Sequence, residues 1–127
     1  MHKPKLIITD DDPIVINFLK EVTEISGYEV SATTSARQLL DAVREACPDI
    51  IILDLVMPDM DGIEALKELA KKECSSAIIL ITGYQKDYLE TAKILGTAHG
   101  LNIIGSLYKP FQLDELNELL QSAYPSQ

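Results

Sequence analysis

The sequence predicts an α/β fold in which five strands alternate with five helices and pair into one parallel sheet. Two observations lead to this prediction. Short apolar runs alternate with stretches of helical periodicity along the 127 residues. Three of the runs are nearly continuous Ile and Leu, which is typical of strands covered on both faces of a parallel sheet. Strand–helix alternation implies right-handed crossovers, so helices are expected on both faces of a doubly wound (βα)5 sheet.

The predicted strands are short and are separated by amphipathic segments. They lie at residues 5–9, 28–33, 49–53, 77–81 and 102–107. The segments between them carry an apolar residue every three or four positions, which predicts helices with one apolar face. The expected apolar stripes are Val15, Phe18, Leu19, Val22 and Ile25; Ala36, Leu39, Leu40, Val43 and Cys47; Ile63, Leu66, Leu69 and Ala70; Tyr88, Ala92 and Leu95; and Leu113, Leu116, Leu119, Leu120 and Ala123.

Several residues are expected to mark helix ends. Ser35 is a predicted N-cap and Pro48 a stop signal for the second helix. Gly27, Gly96 and Gly100 are predicted to follow the ends of helices.

Length and charge limit the classes of function. The 127 residues fit a single domain, expected to span residues 1–124 and to leave 125–127 as a tail or the start of a linker. With 11 Lys and Arg against 20 Asp and Glu, the net charge is −9. An acidic chain without a basic stripe is not expected to bind nucleic acid by itself. No apolar run approaches bilayer-spanning length and the amino terminus does not resemble a signal peptide, so we expect no membrane association and a cytoplasmic location.

The two cysteines give no sign of a metal site. Cys47 and Cys74 lack metal-ligand spacing and have no histidine cluster near them. One disulfide between them is an alternative, but two free thiols in a reducing cytosol are the prediction.

Polar and charged side chains stand at the end of four predicted strands. Asp10-Asp11-Asp12 follows the first strand and Asp54 the third, while Thr82 ends the fourth and Lys109 the fifth. In doubly wound sheets, ligands bind in the crevice beyond the carboxyl ends of the strands. These side chains are therefore expected to meet in one place.

The chemistry of such a group favours an aspartyl-phosphate site. Carboxylates a few ångströms apart repel each other unless a cation compensates them, and Mg²⁺ prefers oxygen ligands of this kind. A carboxylate can attack a phosphoryl group, whose oxygens then need positive charge and donors such as Lys109 and Thr82. Each residue alone also fits an ordinary turn or cap. Asp59-Met60-Asp61-Gly62 is interpreted as a turn before the third helix, because the other positions of a calcium loop are missing.

Four segments resemble the receiver domain of bacterial two-component response regulators, which has a flavodoxin-like fold. The resemblance spans nearly the whole chain. Its motifs are LIITDDDP at 6–13, IIILDLVMPDMDG at 50–62, ILITG at 79–83 and YKPF at 108–111.

The resemblance implies a role for each site residue. Asp54 corresponds to the phosphoacceptor, Asp11 to the direct Mg²⁺ ligand, and Asp10 to a helper acting through water. The backbone carbonyl of Val56 corresponds to the third protein ligand of the metal.

Further roles follow from the same resemblance. Thr82 corresponds to the hydroxyl that follows the phosphoryl group, and Gly83 leaves room for that group. Lys109 corresponds to the family's lysine, and its bond to Pro110 is expected to be cis. Asp12 falls one place beyond the acidic pair and is expected to cap the first helix.

The resemblance also implies a signalling switch, not a turnover enzyme. A sensor histidine kinase or phosphotransfer protein would donate a phosphoryl group to Asp54, and the domain would assist its own phosphorylation. Thr82 and Lys109 would then move inward and alter the surface of helix 4, strand 5 and helix 5, through which a homodimer is also an expected arrangement. Val56 and Tyr84 would obstruct the hydrolytic water, so autodephosphorylation is expected to be slow.

Two departures from the family pattern are visible. Ser106 stands where the family usually has an aromatic switch residue, although Tyr108 shares its face of the strand. The separation from Thr82 to Lys109 is 109 − 82 = 27 positions, which is long, and the extra residues are expected within 95–101.

Two alternatives remain open. A degenerate receiver that only binds proteins would fit Ser106. A small aspartyl-phosphate phosphatase would use Asp10-Asp11-Asp12 as its nucleophile motif, but Ile14 stands where Thr or Val is expected and no cap domain is present.

Overall fold

Within residues 3–83 and 86–123, which the computed structural model describes, five strands and five helices alternate along the chain. The strands are β1 (Lys5–Thr9), β2 (Glu29–Thr33), β3 (Ile50–Asp54), β4 (Ala77–Thr82) and β5 (Asn102–Tyr108). The helices are α1 (Pro13–Ile25), α2 (Ala36–Glu45), α3 (Gly62–Lys71), α4 (Lys86–Ala98) and α5 (Leu113–Ala123). The predicted (βα)5 order is confirmed, and the strand bounds differ from the predicted ones by one residue at most.

All strand pairs are parallel, and the sheet order is β2-β1-β3-β4-β5. From β1 the chain moves to one side to form β2, and it then crosses back to build β3, β4 and β5 on the other side. The strand order therefore reverses between β1 and β3, where a crevice opens beyond the carboxyl ends. Asp10 and Asp54 stand at this point.

The core has two layers because side chains alternate across the sheet. Ile7, Ile51 and Leu53 face α2, α3 and α4. Leu6 and Ile52 face α1 and α5 on the other side. All five residues of β3 are buried, which explains its unbroken apolar sequence.

Helix α1 buries only part of its predicted apolar stripe: Leu19, Val15 and Val22 pack against the core. Leu19 and Thr23 are fully buried, whereas Phe18 is 42% exposed and Ile25 is 80% exposed. The stripe is wider than the strip of sheet that α1 covers, so one rim of it remains in solvent. Phe18 instead contacts Phe111, with ring centroids 6.2 Å apart.

Helix α4 continues past the glycine predicted to follow its end. Gly96 lies inside α4 and is buried, and a Cβ there would collide with the side chain of Ile103. The left-handed conformation that terminates this segment belongs to Gly100, with φ 91°. Close packing, not a cap, therefore explains Gly96.

Part of the extra length between Thr82 and Lys109 lies in β5, outside the predicted 95–101 segment. Ile78 pairs with Ile103, but Ile79 pairs with Gly105, so the pairing passes over Ile104. The one-residue irregularity is a β-bulge on the edge strand.

The prediction of two free thiols is wrong, because Cys47 and Cys74 form a disulfide. The two cysteines are 27 residues apart in the sequence, but the loops that carry them are neighbours in the structure. Each loop leads into one of the paired strands β3 and β4, and the backbone N–H of Ala77 donates to the carbonyl of Asp49 at 2.9 Å. This pairing brings the two Cα atoms to 5.7 Å.

Among the residues described, no helix has both the length and the apolar character needed to cross a membrane.

Candidate functional site

Two buried carboxylates meet where the strand order reverses. Asp10 follows β1 and is fully buried, and Asp54 ends β3 with 4% of its surface exposed. Backbone pairing fixes both positions. The N–H of Asp10 donates to the carbonyl of Thr33 at 3.2 Å, and the N–H of Leu55, directly after Asp54, donates to the carbonyl of Ile81 at 2.9 Å. The carboxylates are therefore held by the sheet itself and not by a mobile loop.

One oxygen of each carboxylate is bound to the local backbone. Asp10 Oδ1 accepts from the N–H of Asp12 at 2.9 Å, and Asp54 Oδ1 accepts from the N–H of Val56 at 2.9 Å. The other oxygens both face Lys109, whose Nζ lies 2.8 Å from Asp10 Oδ2 and 2.9 Å from Asp54 Oδ2. A single ammonium group thus bridges the two acidic side chains.

The fourth and fifth strands position Thr82 and Lys109 together. The N–H of Lys109 donates to the carbonyl of Thr82 at 2.8 Å, which continues the pairing of β4 and β5. The peptide bond from Lys109 to Pro110 is cis, as expected. Lys109 is 25% exposed at its side chain, so its ammonium lies at the boundary between the site and solvent.

The positive charge of Lys109 only partly neutralises the carboxylates of the site. Burial is the largest effect on the pKa of Asp54 and raises it above its usual 3.8; the nearby Asp10 charge also raises it, against the opposing Val56 N–H and Lys109. Burial alone would lower the pKa of Lys109, but its hydrogen bonds to Asp10 and Asp54 outweigh that effect and raise the pKa above 10.5. The lysine therefore stays charged, and the carboxylates still hold more negative charge than it neutralises.

The residues present fit a hard divalent cation. Asp10, Asp11 and Asp54 each offer a carboxylate oxygen, and these atoms lie within 4.8 Å of one another. Asp11 is exposed while the other two are buried, so the group opens toward solvent on one side. An oxygen-rich, incompletely neutralised group of this kind suits Mg²⁺.

The Thr82 hydroxyl helps to define what the site can bind. Thr82 is fully buried, and within the described part of the chain its Oγ1 has no hydrogen-bond partner. Asp10 Oδ2, in contrast, is paired with the Lys109 ammonium at 2.8 Å. Buried polar groups in folded proteins are nearly always paired, so the Thr82 hydroxyl is placed to meet a group that enters the site.

These side chains surround one open cavity of about 390 Å³. It is lined by Asp11, Asp12, Asp54, Val56, Thr82, Gly83 and Lys109. Every predicted site residue lies at or beside this cavity, including Asp10 beneath Lys109. The roles assigned to them, including the metal-ligand role of the Val56 carbonyl, stay predictions. Tyr84 lies outside the described residues.

Asp12 and Asp61 cap helices beside the site. Asp12 accepts from the N–H of Ile14 at 2.9 Å and is the N-cap of α1, as expected. Asp61 is the N-cap of α3 and accepts from the N–H of Ile63 at 3.2 Å. The Glu three residues after Asp61 is a capping signal that the sequence displays.

Asp59 has a function that the sequence does not reveal. Its two carboxylate oxygens accept from the N–H groups of Ala36 and Arg37, each at 3.0 Å. These hydrogen bonds hold the pKa of Asp59 below 3.8. Asp59 thus joins the loop after β3 to the amino terminus of α2, a contact between distant segments that no local pattern predicts.

Tyr88 links α4 to the same loop. Its hydroxyl donates to Asp61 Oδ1 and accepts from the N–H of Ile63 at 3.3 Å. Asp61 in turn forms an antiparallel bridge with Val56, two residues after Asp54. A continuous series of contacts therefore connects Asp54 with the first turn of α4.

Several known proteins are similar to the chain over most of its length. Sporulation initiation phosphotransferase F of Bacillus subtilis (strain 168) is 31% identical, covering 98% of the chain and 97% of that protein. A chemotaxis protein CheY of Listeria monocytogenes is 34% identical, covering 94% and 97%. Regulatory protein AtoC of Escherichia coli (strain K12) is 34% identical over 94% of the chain, which spans only about a quarter, 25%, of that protein.

A solved structure and a family description agree with these similarities. The crystal structure of a response regulator from Colwellia psychrerythraea has a TM-score of 0.81 and 35% identity, covering 98% of the chain and 100% of that structure. Residues 6–121 match the family described as the response regulator receiver domain. The chain, with its parallel five-stranded sheet and its acidic crevice, belongs to the response regulator receiver domain family.

Proposed function

We propose that Asp54 accepts a phosphoryl group from the phosphohistidine of a sensor histidine kinase or phosphotransfer protein. The observation that carries this proposal is the position of the Asp54 carboxylate, on a cavity it shares with the Lys109 ammonium, 2.9 Å away, and the unpaired hydroxyl of Thr82. The similarity to a sporulation initiation phosphotransferase supports a phosphoryl donor of this class. A cytoplasmic location and a single domain over residues 1–124 belong to the same proposal.

The transfer requires little covalent chemistry from the protein. An oxygen of Asp54 forms the new O–P bond while the N–P bond of the donor breaks, and the imidazole nitrogen keeps the bonding electrons. Lys109 is placed to contact one phosphoryl oxygen and Thr82 another. The backbone N–H of Val56 orients the attacking carboxylate through Asp54 Oδ1, at 2.9 Å.

Asp10, Asp11 and Asp54 would hold Mg²⁺, together with the Val56 carbonyl. Bound there, the ion supplies positive charge that offsets the crowded carboxylates and the incoming phosphoryl oxygens. Asp10 contributes from a fully buried position and Asp11 from the solvent side.

An apolar groove beside the cavity suits the carrier of the phosphohistidine. The groove has a volume of about 500 Å³, and Ile14, Phe18 and Phe111 form much of its apolar lining. It shares Asp12, Gly83 and Lys109 with the cavity, so a donor covering the cavity mouth also covers the groove. Ile14 is 77% exposed, and a bound donor would remove this apolar surface from water.

The response to phosphorylation would pass through Thr82 and Lys109 to α4, β5 and α5. Thr82 is the register partner of Tyr108 on the neighbouring strand, so the two side chains share a face of the sheet, and this supports Tyr108 as a substitute for the aromatic residue absent at Ser106. Inward movement of Thr82 would therefore change the surface of β5, where a partner or a second copy of the domain would bind.

Phosphorylation with acetyl phosphate tests this function. Wild-type protein in Mg²⁺ is expected to gain one phosphoryl group per chain, and Asp54→Asn to gain none. Asp114→Asn, a change of the same type in the exposed first turn of α5, serves as the matched control and should behave as wild type. Chelation of Mg²⁺ should abolish labelling of wild type. Unchanged labelling of Asp54→Asn, or no labelling of wild type, would refute the proposal; the latter would favour a protein-binding module.

Autodephosphorylation is proposed to be slow, because the exposed apolar side chain of Val56 lines the cavity mouth. Val56→Asn replaces it with a group able to hydrogen-bond a hydrolytic water. Phosphate release from phosphorylated Val56→Asn should be several-fold faster than from wild type, with Tyr84→Glu as a second variant. Equal release rates would show that Val56 does not obstruct that water.

A further inference from the structure

Cys47 and Cys74 lie at the edge of the sheet opposite Asp54, in the loops that lead into β3 and β4. We propose that they form a reversible thiol–disulfide pair, which exchanges with small thiols of the glutathione class and sets the stability of the segment carrying Asp54. This redox-sensitive modification site is independent of the proposed function, because it does not require phosphorylation.

The two loops are held together without the disulfide. Ser76 Oγ donates to the carbonyl of Pro48 at 2.6 Å, and the N–H of Ala77 donates to the carbonyl of Asp49 at 2.9 Å. These bonds place the residues after each cysteine side by side, and the Cα atoms lie 5.7 Å apart. The reduced chain therefore keeps both thiols within bonding range, which favours an intramolecular bond over one between two chains.

The two cysteine residues differ in exposure. Cys47 is exposed, whereas Cys74 is half-buried and packs against the core layer below α2, α3 and α4. An incoming thiolate therefore attacks the sulfur of Cys47, and Cys74 leaves as the thiolate. A second small thiol then completes the exchange: one protein disulfide and two small thiols give two protein thiols and one small-molecule disulfide.

The bond closes a loop that contains the phosphoacceptor strand. The 27-residue separation encloses all of β3 and α3, together with Asp54 and the Asp61 cap. Closing this loop restricts the unfolded chain and so stabilises the folded one. The bonds made by Ser76 and Ala77 remain after reduction, so the reduced protein is expected to fold.

The proposal can be tested in glutathione buffers with a graded ratio of reduced to oxidised glutathione. Free thiols are alkylated and counted by mass measurement, and the stability of each sample is measured by thermal melting. We expect both forms to be populated across the series, and the oxidised monomer to melt about 10 °C above the reduced one. The Cys47→Ser/Cys74→Ser double variant should melt like reduced wild type and show no dependence on the buffer.

Four results would overturn the inference. The first is that the thiols stay reduced in oxidised glutathione, and the second is that the two forms melt at the same temperature. The third is that the reduced form or the double variant lacks native circular dichroism, and the fourth is that the oxidised form is a disulfide-linked dimer. The third result would identify an obligatory structural bond instead of a reversible one.

Discussion

At the scale of single residues, the site keeps polar groups in an environment that does not satisfy them. The Thr82 hydroxyl is buried without a partner among the residues described, and one lysine faces two buried carboxylates. An unsatisfied buried polar group costs about 1–3 kcal/mol. The unpaired Thr82 hydroxyl therefore lowers the stability of the fold, and it is available to hydrogen-bond a ligand.

Replacing Thr82 tests this cost. Thr82→Val keeps the shape of the side chain and removes the unpaired hydroxyl, so the free energy of unfolding should rise by about 1 kcal/mol. Thr23→Val is the matched control, because Thr23 is equally buried but donates to the carbonyl of Leu19 at 2.7 Å. Urea denaturation should show Thr23→Val to be less stable than wild type. Destabilisation of both variants alike would mean that Thr82 is satisfied in solution.

The site residues were predictable because parallel strands end at the same edge of a sheet. Asp10, Asp54, Thr82 and Lys109 each follow or end a strand that the apolar runs identify. The role of Asp59 was not predictable, because its partners on α2 lie more than twenty residues away in sequence.

At the scale of elements, α2 depends on two separate caps. Ser35 accepts from the N–H of Gln38 at 3.1 Å, and Asp59 accepts from those of Ala36 and Arg37. The first N–H groups of the helix, which have no intrahelical partner, are thereby satisfied. The cap also fixes the loop after β3, so the stability of α2 and the geometry near Asp54 are connected.

The Asp59 cap predicts a pH dependence. Because its folded-state pKa lies below the ordinary 3.8, Asp59 contributes stability above that pH and loses it as the pH falls through the depressed value. Asp59→Ala should cost about 1 kcal/mol of unfolding free energy at neutral pH. Chemical denaturation from pH 7 downward should show the difference from wild type shrinking below about pH 4. A difference that is constant with pH would exclude the charged cap as its source.

Two elements show where periodicity alone is insufficient. The stripe of α1 predicts that Phe18 and Ile25 are buried, yet both lie on a rim that the sheet does not cover. The bulge at Ile104 changes the register of an edge strand, and Gly105 inside that strand is only a weak sequence signal for it. Both features depend on which neighbours an element meets, and a single sequence does not carry that information.

At the scale of the whole molecule, the net charge of −9 is partly localised. Asp10, Asp11 and Asp54 converge on one crevice, while Asp12, Asp59 and Asp61 serve as helix caps around it. The crevice is the proposed site for a cation and a phosphoryl group, and the caps hold its loops in place. The fold order was predictable from alternating apolar runs, whereas the disulfide depended on which loops the sheet brings together.

Chemical mapping of the phosphate shows whether Asp54 is the residue that becomes phosphorylated. Protein labelled with acetyl phosphate and Mg²⁺ is reduced with borohydride, which converts an acyl phosphate to an alcohol, and the peptides are sequenced by mass spectrometry. We expect the label to be stable in acid, to be released by hydroxylamine, and to mark Asp54. A mark on Asp10 or Asp12, or a label resistant to hydroxylamine, would contradict this expectation.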